Sequence, residues 1–471
     1  MFSLDTRTKY LAWLGVIVIL GLGFRVGFVS AYEFVGFHQY GTHCLGKDNY
    51  PGCNRFFEHE VKTGIGGDAL YYHDQAHLLL QGKFFVLPSK YYETGQIQPS
   101  ASHPPLYTVT LAGEDLLGLS TVDDQRIAGC FLGELSVLLL AVAALRMAGR
   151  RTSVIAGLIG SAYPGMWIFD GTDMSEIVSI LVISLLIAES YRFLKKPSIK
   201  MAIWIGVIIA FASYARSELI LLDVLIPPFL IYYLYRQKLF CVSIRRSFEV
   251  LVVTIGASIV CLAPWIGFNL SRFSQPEFLS TQLGMTLAVS NCNTVYSGKF
   301  IGFWDLPNCL ENRPVTKQDG PPPKHGDESV SDAYWRKVGL NYIGAHLGSL
   351  PKVILAREGR VFWLFNPGQQ QNLNSFVEQW NPSADAAFRW SFYLLALLTI
   401  PGVFATVRRL KLPISPLVGP VLVVVVAVFV TYGTTRFQSA AEPTLVVLSA
   451  LGVSYMIDRV SSSREMSVPG L

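Results

Sequence analysis

The sequence predicts an all-α polytopic membrane protein, a bundle of about ten transmembrane helices carrying two large loops on one side. Three observations lead there. Apolar residues make up 51% of the 471 and charged residues only 15%, with a mean hydropathy of +0.40. The apolar residues come in blocks long enough to cross a hydrocarbon core, which needs ~20 residues. Lys and Arg gather in short clusters at the block ends, as they do where they are retained on the cytoplasmic side. Residues 1–471 therefore read as a single membrane domain. The net charge of +5 forms no basic face, so nothing supports nucleic-acid binding.

The first span is expected at about Tyr10–Ala31. Arg7 and Lys9 precede it, but no small-residue cleavage pattern follows, so it reads as a retained helix with a cytoplasmic N-terminus. The second, about Ile127–Leu145, returns to Arg146, Arg150 and Arg151. The third and fourth, about Val154–Phe169 and Met174–Tyr191, end at Arg192, Lys195 and Lys196. The fifth and sixth, about Met201–Ala215 and Leu219–Tyr235, close on Arg236, Lys238, Arg245 and Arg246. The seventh is about Val250–Leu270, and the eighth, Phe388–Val407, ends at Arg408, Arg409 and Lys411. The last two are about Pro413–Tyr432 and Pro443–Ile457, followed by Arg459. This threading puts every strong basic cluster on one side of a plasma (inner) membrane. Leu106–Leu119 is apolar but short and carries Glu114 and Asp115. As a span it would invert everything downstream, so it is expected to lie at the outer interface.

Two extracytoplasmic loops result, residues 32–126 and 271–385. Four of the seven cysteines fall in them: Cys44 and Cys53 in the first, Cys292 and Cys309 in the second. Each pair is close in sequence, which favours two local disulfides in an oxidising compartment. Cys130, Cys241 and Cys261 fall in or beside spans as free thiols.

The first loop is far longer than a connection requires and is rich in aromatics and His. Its dense stretch runs Gly67-Asp68-Ala69-Leu70-Tyr71-Tyr72-His73-Asp74, then His103-Pro104-Pro105. Asp68, after two glycines, suits a helix N-cap. Equally, a carboxylate at the membrane surface suits a base that takes a proton from a hydroxyl. His73 and His77 lie one helical turn apart, a spacing zinc can use, but no third ligand accompanies them. Charges also gather at the outer level of the spans: Arg25; Asp170, Asp173 and Glu176; Arg216 and Glu218; Arg436 and Glu442. Such charges pair or line a functional cavity, and their shared level points to one polar cavity beneath the loops.

The motifs Gly67-Asp68-Ala69, Tyr71-Tyr72-His73 and Pro99-Ser100-Ala101-Ser102-His103-Pro104-Pro105-Leu106-Tyr107 resemble those of bacterial glycosyltransferases of the protein O-mannosyltransferase type. These belong to the GT-C superfamily, as do the lipid A aminoarabinose transferases. The resemblance continues through Tyr163-Pro164, Asp170, Ser175-Glu176, Ala215-Arg216-Ser217-Glu218 and Pro264-Trp265 to Arg436 and Ala441-Glu442-Pro443. The loop cysteines and Gly284 to Asn291-Cys292 look like an actinobacterial branch. Two departures stand out. Ala69 follows Asp68 where many members carry a second acidic residue, and His103 occupies the place of a Lys in the aminoarabinose transferases. The first leaves Asp68 as a lone candidate base; the second weakens direct phosphate binding there.

The resemblance implies a GT-C bundle with juxtamembrane helices in its loops. It implies an enzyme that moves a sugar from a polyprenyl-phosphate donor to a cell-envelope acceptor on the extracytoplasmic face, with inversion at the anomeric carbon. Asp68 is then the base. Arg216, with His103 and Arg436, is expected to hold the donor phosphate, since guanidinium offers paired donors to phosphate oxygens. Asp170, Glu176, Glu218, Tyr71, Tyr72 and His73 are expected to contact sugar or acceptor, and Asp170 and Glu176 could instead ligate a divalent metal. A prenyl tail is expected beside Phe211, Leu221 and Trp265. In the second loop, Pro321–Asp327 is expected to be mobile, Val330–Leu350 to form an interfacial helix, and Arg357 and Arg360 to face headgroups or lipid phosphate. The alternative from another class is a secondary transporter or flippase of lipid-linked sugars. Such proteins carry internal repeats and midplane sites, and neither is found here.

Overall fold

The computed structural model describes residues 6–31, 65–314 and 316–466. Its regular elements are all helical, with no strand among the described residues. Cys44 and Cys53 lie outside them.

α1 covers Arg7–Ala31. The first loop then supplies α2 (Gly67–Leu80), α3 (Pro88–Thr94) and α4 (Leu106–Leu116). α5 (Val122–Ala148) and α6 (Arg150–Ala162) follow, then α7 (Glu176–Lys195) and α8 (Ile199–Ala215). Past a 3-10 turn at Ser217–Leu221 come α9 (Pro227–Arg236) and α10 (Ile244–Arg272). The second loop holds α11 (Leu283–Val289), α12 (Glu328–Ala345), α13 (Leu350–Val361) and α14 (Pro367–Val377). α15 (Pro382–Phe404), α16 (Ser415–Val430) and α17 (Glu442–Met466) complete the bundle.

Among the described residues, seven helical segments are long and apolar enough to cross a membrane, and α8 and α16 are shorter apolar helices. This is a multi-pass membrane protein. The expected third span is the one that differs most. Its helix stops at Ala162, because Tyr163 turns extended ahead of Pro164, whose ring cannot continue the backbone hydrogen-bond ladder. A short turn at Pro164–Trp167 follows it. The expected interfacial segment forms the eleven-residue α4, roughly 16 Å long at helical rise and too short to span.

Where helices cross tightly, small residues sit at the contact. α15 packs on α17, and a Cβ added at Gly402 would lie 1.9 Å from the Leu448 carbonyl oxygen. One added at Gly452 would lie 2.1 Å from that of Leu398. A second device is buried charge. Arg25 of α1 meets Asp170 at 2.7 Å and Glu134 of α5 at 3.2 Å, with no exposure of its side chain. A third is the Cys292–Cys309 disulfide of the second loop, which bears out that expected pair.

Arg357 and Arg360 correct the sequence reading. Both are buried. Arg357 donates to the carbonyls of Ser290 and Phe429 and to Asn291, and Arg360 to those of Ile301 and Lys299. Both are spent on backbone carbonyls of the second loop and of α16, buried inside the protein and not turned to a headgroup. The expected helix in this loop is α12, starting two residues early because Asp327 caps it through Ser329 and Val330.

The close crossing yields a prediction. Gly402→Val is expected to destabilise the purified protein by about 1–3 kcal/mol or more, read as a fall in thermal midpoint. Gly256→Val on α10, where an added Cβ meets nothing within 4 Å, is expected to leave the midpoint unchanged.

Candidate functional site

Gly67 holds φ +59, a left-handed turn that a residue without Cβ adopts freely. It swings the chain from extended Gly66 into α2 and presents Asp68 in the first turn. Gly66 is the N-cap, with no side-chain cap bond. Asp68 is therefore not needed for capping. Its Oδ2 instead lies 3.0 Å from Arg436 Nη1 and its Oδ1 3.3 Å from His103 Nε2. Burial acts to lift this carboxyl, but His103 and Arg436 outweigh it and hold the group well below the usual carboxylate range.

Arg436 sits at the start of the last span, and its Nε reaches Glu176 Oε1 at 2.5 Å. The same Glu176 oxygen pairs with Arg216 Nη1, and Arg216 Nε with Glu218 at 2.6 Å. Glu176, fully buried at the N-terminus of α7, thus holds two arginines from distant parts of the chain side by side. Arg216 also lies 5.1 Å above the Phe437 ring.

These groups border a cavity of about 500 Å³. Asp68, Tyr72, His103, Arg216, Glu218 and Arg436 form its polar end. Leu221, Val426, Ala427, Val430 and Phe437 supply apolar lining, and Glu277, Gln282 and Arg336 add further polar groups. A smaller cavity of about 210 Å³ shares Asp68, Ser102, His103 and Gln282 with it and is lined besides by Gly67, Tyr71 and Ser89. Asp68 and His103 border both. The Asp68 carboxyl, 32% exposed, is reachable from either.

His103 is held by both loops. Its ring packs 4.6 Å from that of Tyr72. The preceding residues Ser100 to Ser102 are bound by Glu328 at the start of α12, which accepts from Ser100 Oγ at 2.6 Å, the Ala101 amide at 2.9 Å and Ser102 Oγ at 3.2 Å. Arg272 at the end of α10 donates to the carbonyls of Phe85 and Ser100, both at 2.7 Å.

Of the residues expected from sequence, Asp68, Tyr72, His103, Arg216, Glu218 and Arg436 meet at the larger cavity, Tyr71 lines the smaller, and Glu176 joins the arginines. Asp170 is taken up by Arg25 and lines neither cavity. His73 bonds Gln125 at 2.7 Å and His77 meets Asp115 at 3.2 Å; these contacts fix α2 to its neighbours. Leu221 lines the larger cavity, but Trp265 is buried and donates to the Leu279 carbonyl. Among the described residues no three His, Cys, Asp or Glu side chains converge as a metal site. With Asp170 and Glu176 both bound to guanidinium groups, the residues here do not fit a divalent ion.

Glu378 was missed, and no motif in its stretch singles it out. It follows α14 and lies 3.9 Å from Arg436. Burial pushes its carboxyl up to about 7 against the pull of Arg436, with Glu176 and Asp68 adding to the rise.

No family model matches the sequence, and no curated protein matches it. In structure it is similar to the archaeal oligosaccharyltransferase AglB from Archaeoglobus fulgidus in complex with an inhibitory peptide and a dolichol-phosphate. The TM-score is 0.51 at 13% sequence identity, over 100% of this chain and 53% of that one. The likeness is one of fold. The same oligosaccharyltransferase tethered with an acceptor peptide gives a TM-score of 0.53 at 14% identity, covering 98% and 51%. This chain thus spans about half the length of those neighbours. The likeness to ArnT from Cupriavidus metallidurans bound to undecaprenyl phosphate, TM-score 0.32 at 13% identity over 82% and 73%, lies below the level of a shared fold.

Two predictions follow from the charges. Removing one partner of a buried ion network costs about 3–5 kcal/mol, so Glu176→Gln, which leaves Arg216 and Arg436 facing one another, is expected to lower the thermal midpoint more than Glu218→Gln does. A carboxyl raised from 4.5 to about 7 stabilises the fold fully below pH 4.5 and ceases to do so as pH climbs through about 7. Glu378→Gln is therefore expected to flatten the pH dependence of the thermal midpoint across that window relative to the parent protein.

Proposed function

We propose that this protein is a membrane glycosyltransferase that moves a sugar from a polyprenyl-phosphate carrier to a cell-envelope acceptor on the extracytoplasmic face of the plasma membrane. One observation carries the reading: Asp68, Arg216 and Arg436 meet in one cavity, with Asp68 3.0 Å from Arg436, and apolar side chains such as Leu221, Val426 and Val430 share its lining. Lipid phosphate needs both kinds of lining at once. The bundle ends support the orientation. Arg151 and Arg409 meet Asp458 of α17, roughly 24 Å along that helix from Glu442 at helical rise, so the basic end lies opposite the cavity.

In this reading the phosphate rests on Arg216 and Arg436, and the prenyl chain runs along Leu221, Val426 and Val430. The acceptor approaches through the smaller cavity beside Tyr71. Its hydroxyl gives a proton to Asp68 as its oxygen bonds the anomeric carbon. The bond from that carbon to the phosphate oxygen breaks on the opposite face, and the leaving phosphate keeps the electron pair under the two arginines. Inversion follows from this in-line geometry. The Asp68–Arg436 pair is a resting arrangement: phosphate competes for Arg436, and Asp68 becomes more basic as it loses that partner. The protein O-mannosyltransferase type and the actinobacterial branch remain the sequence resemblance that guides the choice of donor. Glu218 and Tyr72, at the polar end, are placed to meet the sugar.

The test uses membranes containing the full chain and a polyprenyl-phosphate sugar labelled in the sugar. Asp68→Asn is expected to cut sugar release by about 10²–10⁴-fold while the labelled lipid still binds. Full release by Asp68→Asn, or no release by the parent protein from any polyprenyl-phosphate sugar, would contradict the reading.

A further inference from the structure

A cavity of about 410 Å³ lies in the second loop, away from Asp68. Its lining is rich in planar polar groups. Asn308, Asn312 and Gln318 are exposed at its rim. Asn341 donates to Asp319 Oδ1 at 3.0 Å, and Thr316 donates to Asp319 Oδ2 at 2.7 Å. Arg313 stands 3.8 Å from the same carboxylate, so the one cation of the lining is balanced within it. A wall is aromatic: the rings of Tyr342 and His346 stack with centroids 4.0 Å apart and an interplanar angle of 14°. Tyr342 is fixed by a 2.7 Å bond from its hydroxyl to Asn293, and Cys292, joined to Cys309, lies in the lining beside Asn293.

Amide, carboxylate and guanidinium planes suit the vicinal hydroxyls of a sugar, which donate and accept at once. Ring faces of negative quadrupole suit its polarised C–H groups. A lining without uncompensated charge suits a neutral ligand. An acyl chain would strip water from Asn312 and Gln318 and offer them no partner, at a cost.

Two helices join this cavity to the larger one. Leu283 and Thr286 of α11 line the larger cavity, whereas Cys292, Asn293 and Thr294, just past that helix, line this one. On α12, Arg336 lines the larger cavity and Asn341, Tyr342 and Ala345 this one. From Arg336 to Ala345 is roughly 13 Å at helical rise. The two helices pack with almost no gap. An added Cβ at Gly284 would lie 1.9 Å from the Asp332 carbonyl oxygen, and one at Gly339 would lie 2.8 Å from Leu287.

We infer that the second-loop cavity is a saccharide-binding subsite that holds sugar residues of an extended neutral glycan while another part of that glycan occupies the site at Asp68. Identifying the glycan as the acceptor rests on the proposed transferase activity; the binding of saccharide does not. A bound glycan spans the α11–α12 pair, so the subsite selects acceptors by length.

The test uses the full chain in lipid nanodiscs and fluorescent linear hexasaccharides of mannose, glucose, galactose and arabinose, with an alanine–glycine hexapeptide as the competing class. At least one hexasaccharide is expected to bind. The Asn312→Ala/His346→Ala double variant is expected to weaken that binding about tenfold or more, while Gly256→Val, on α10 and in the lining of neither cavity, keeps it. If the double variant fails to fold, Asn308→Ala and Gln318→Ala, both at exposed positions, carry the same expectation. Failure of every hexasaccharide to bind overturns the subsite. So does binding that survives these substitutions, or stronger binding of the peptide with the same dependence on them. Loss of sugar transfer as an activity, with hexasaccharide binding intact, would remove the transferase reading and leave the subsite standing.

Discussion

Everything at the candidate site hangs on Glu176. One buried carboxylate at the start of α7 binds Arg216 from the end of α8 and Arg436 from the start of the last span. Two guanidinium groups brought this close repel one another, and burial makes the repulsion stronger. Glu176 removes that obstacle, Asp68 and Glu218 each pair with one of the two arginines, and Glu378 lies 3.9 Å from Arg436. The result is a pair of guanidinium groups held in place beside Asp68, already stripped of much of their water.

Such an assembly is costly as a stabilising device. Buried ion networks seldom improve on well-packed apolar side chains, so stability alone does not account for this one. In the proposed function the ligand of this network is a phosphate attached to a hydrocarbon chain. The second loop contributes as much as the membrane helices do. Glu328 and Arg272 fix the residues before His103, so the loops are part of the site and not a cover over it.

Much of this was legible in the chain itself. Apolar block length predicts the long helices, because a hydrocarbon core imposes it. The shared level of Asp68, Arg216, Glu176, Glu218 and Arg436 predicts their convergence, since few charges at that depth can avoid pairing. The failures have physical causes too. Asp170 stands at the same level, but Arg25 one helix away satisfies it first, and sequence does not tell which acid an arginine will choose. Arg357 and Arg360 look like headgroup ligands until the fold surrounds them with carbonyl oxygens. Glu378 and Glu328 act through contacts that cross hundreds of residues or a whole loop, and neither stretch has a periodicity that marks it.

The most direct measurement is a structure of the full chain in lipid with a non-hydrolysable polyprenyl-phosphate sugar bound. The account requires phosphate oxygens within hydrogen-bond distance of Arg216 and Arg436, with the anomeric carbon between them and Asp68. Phosphate bound elsewhere, with Arg436 still paired to Asp68 and the cavity beside Leu221 unfilled, would contradict it.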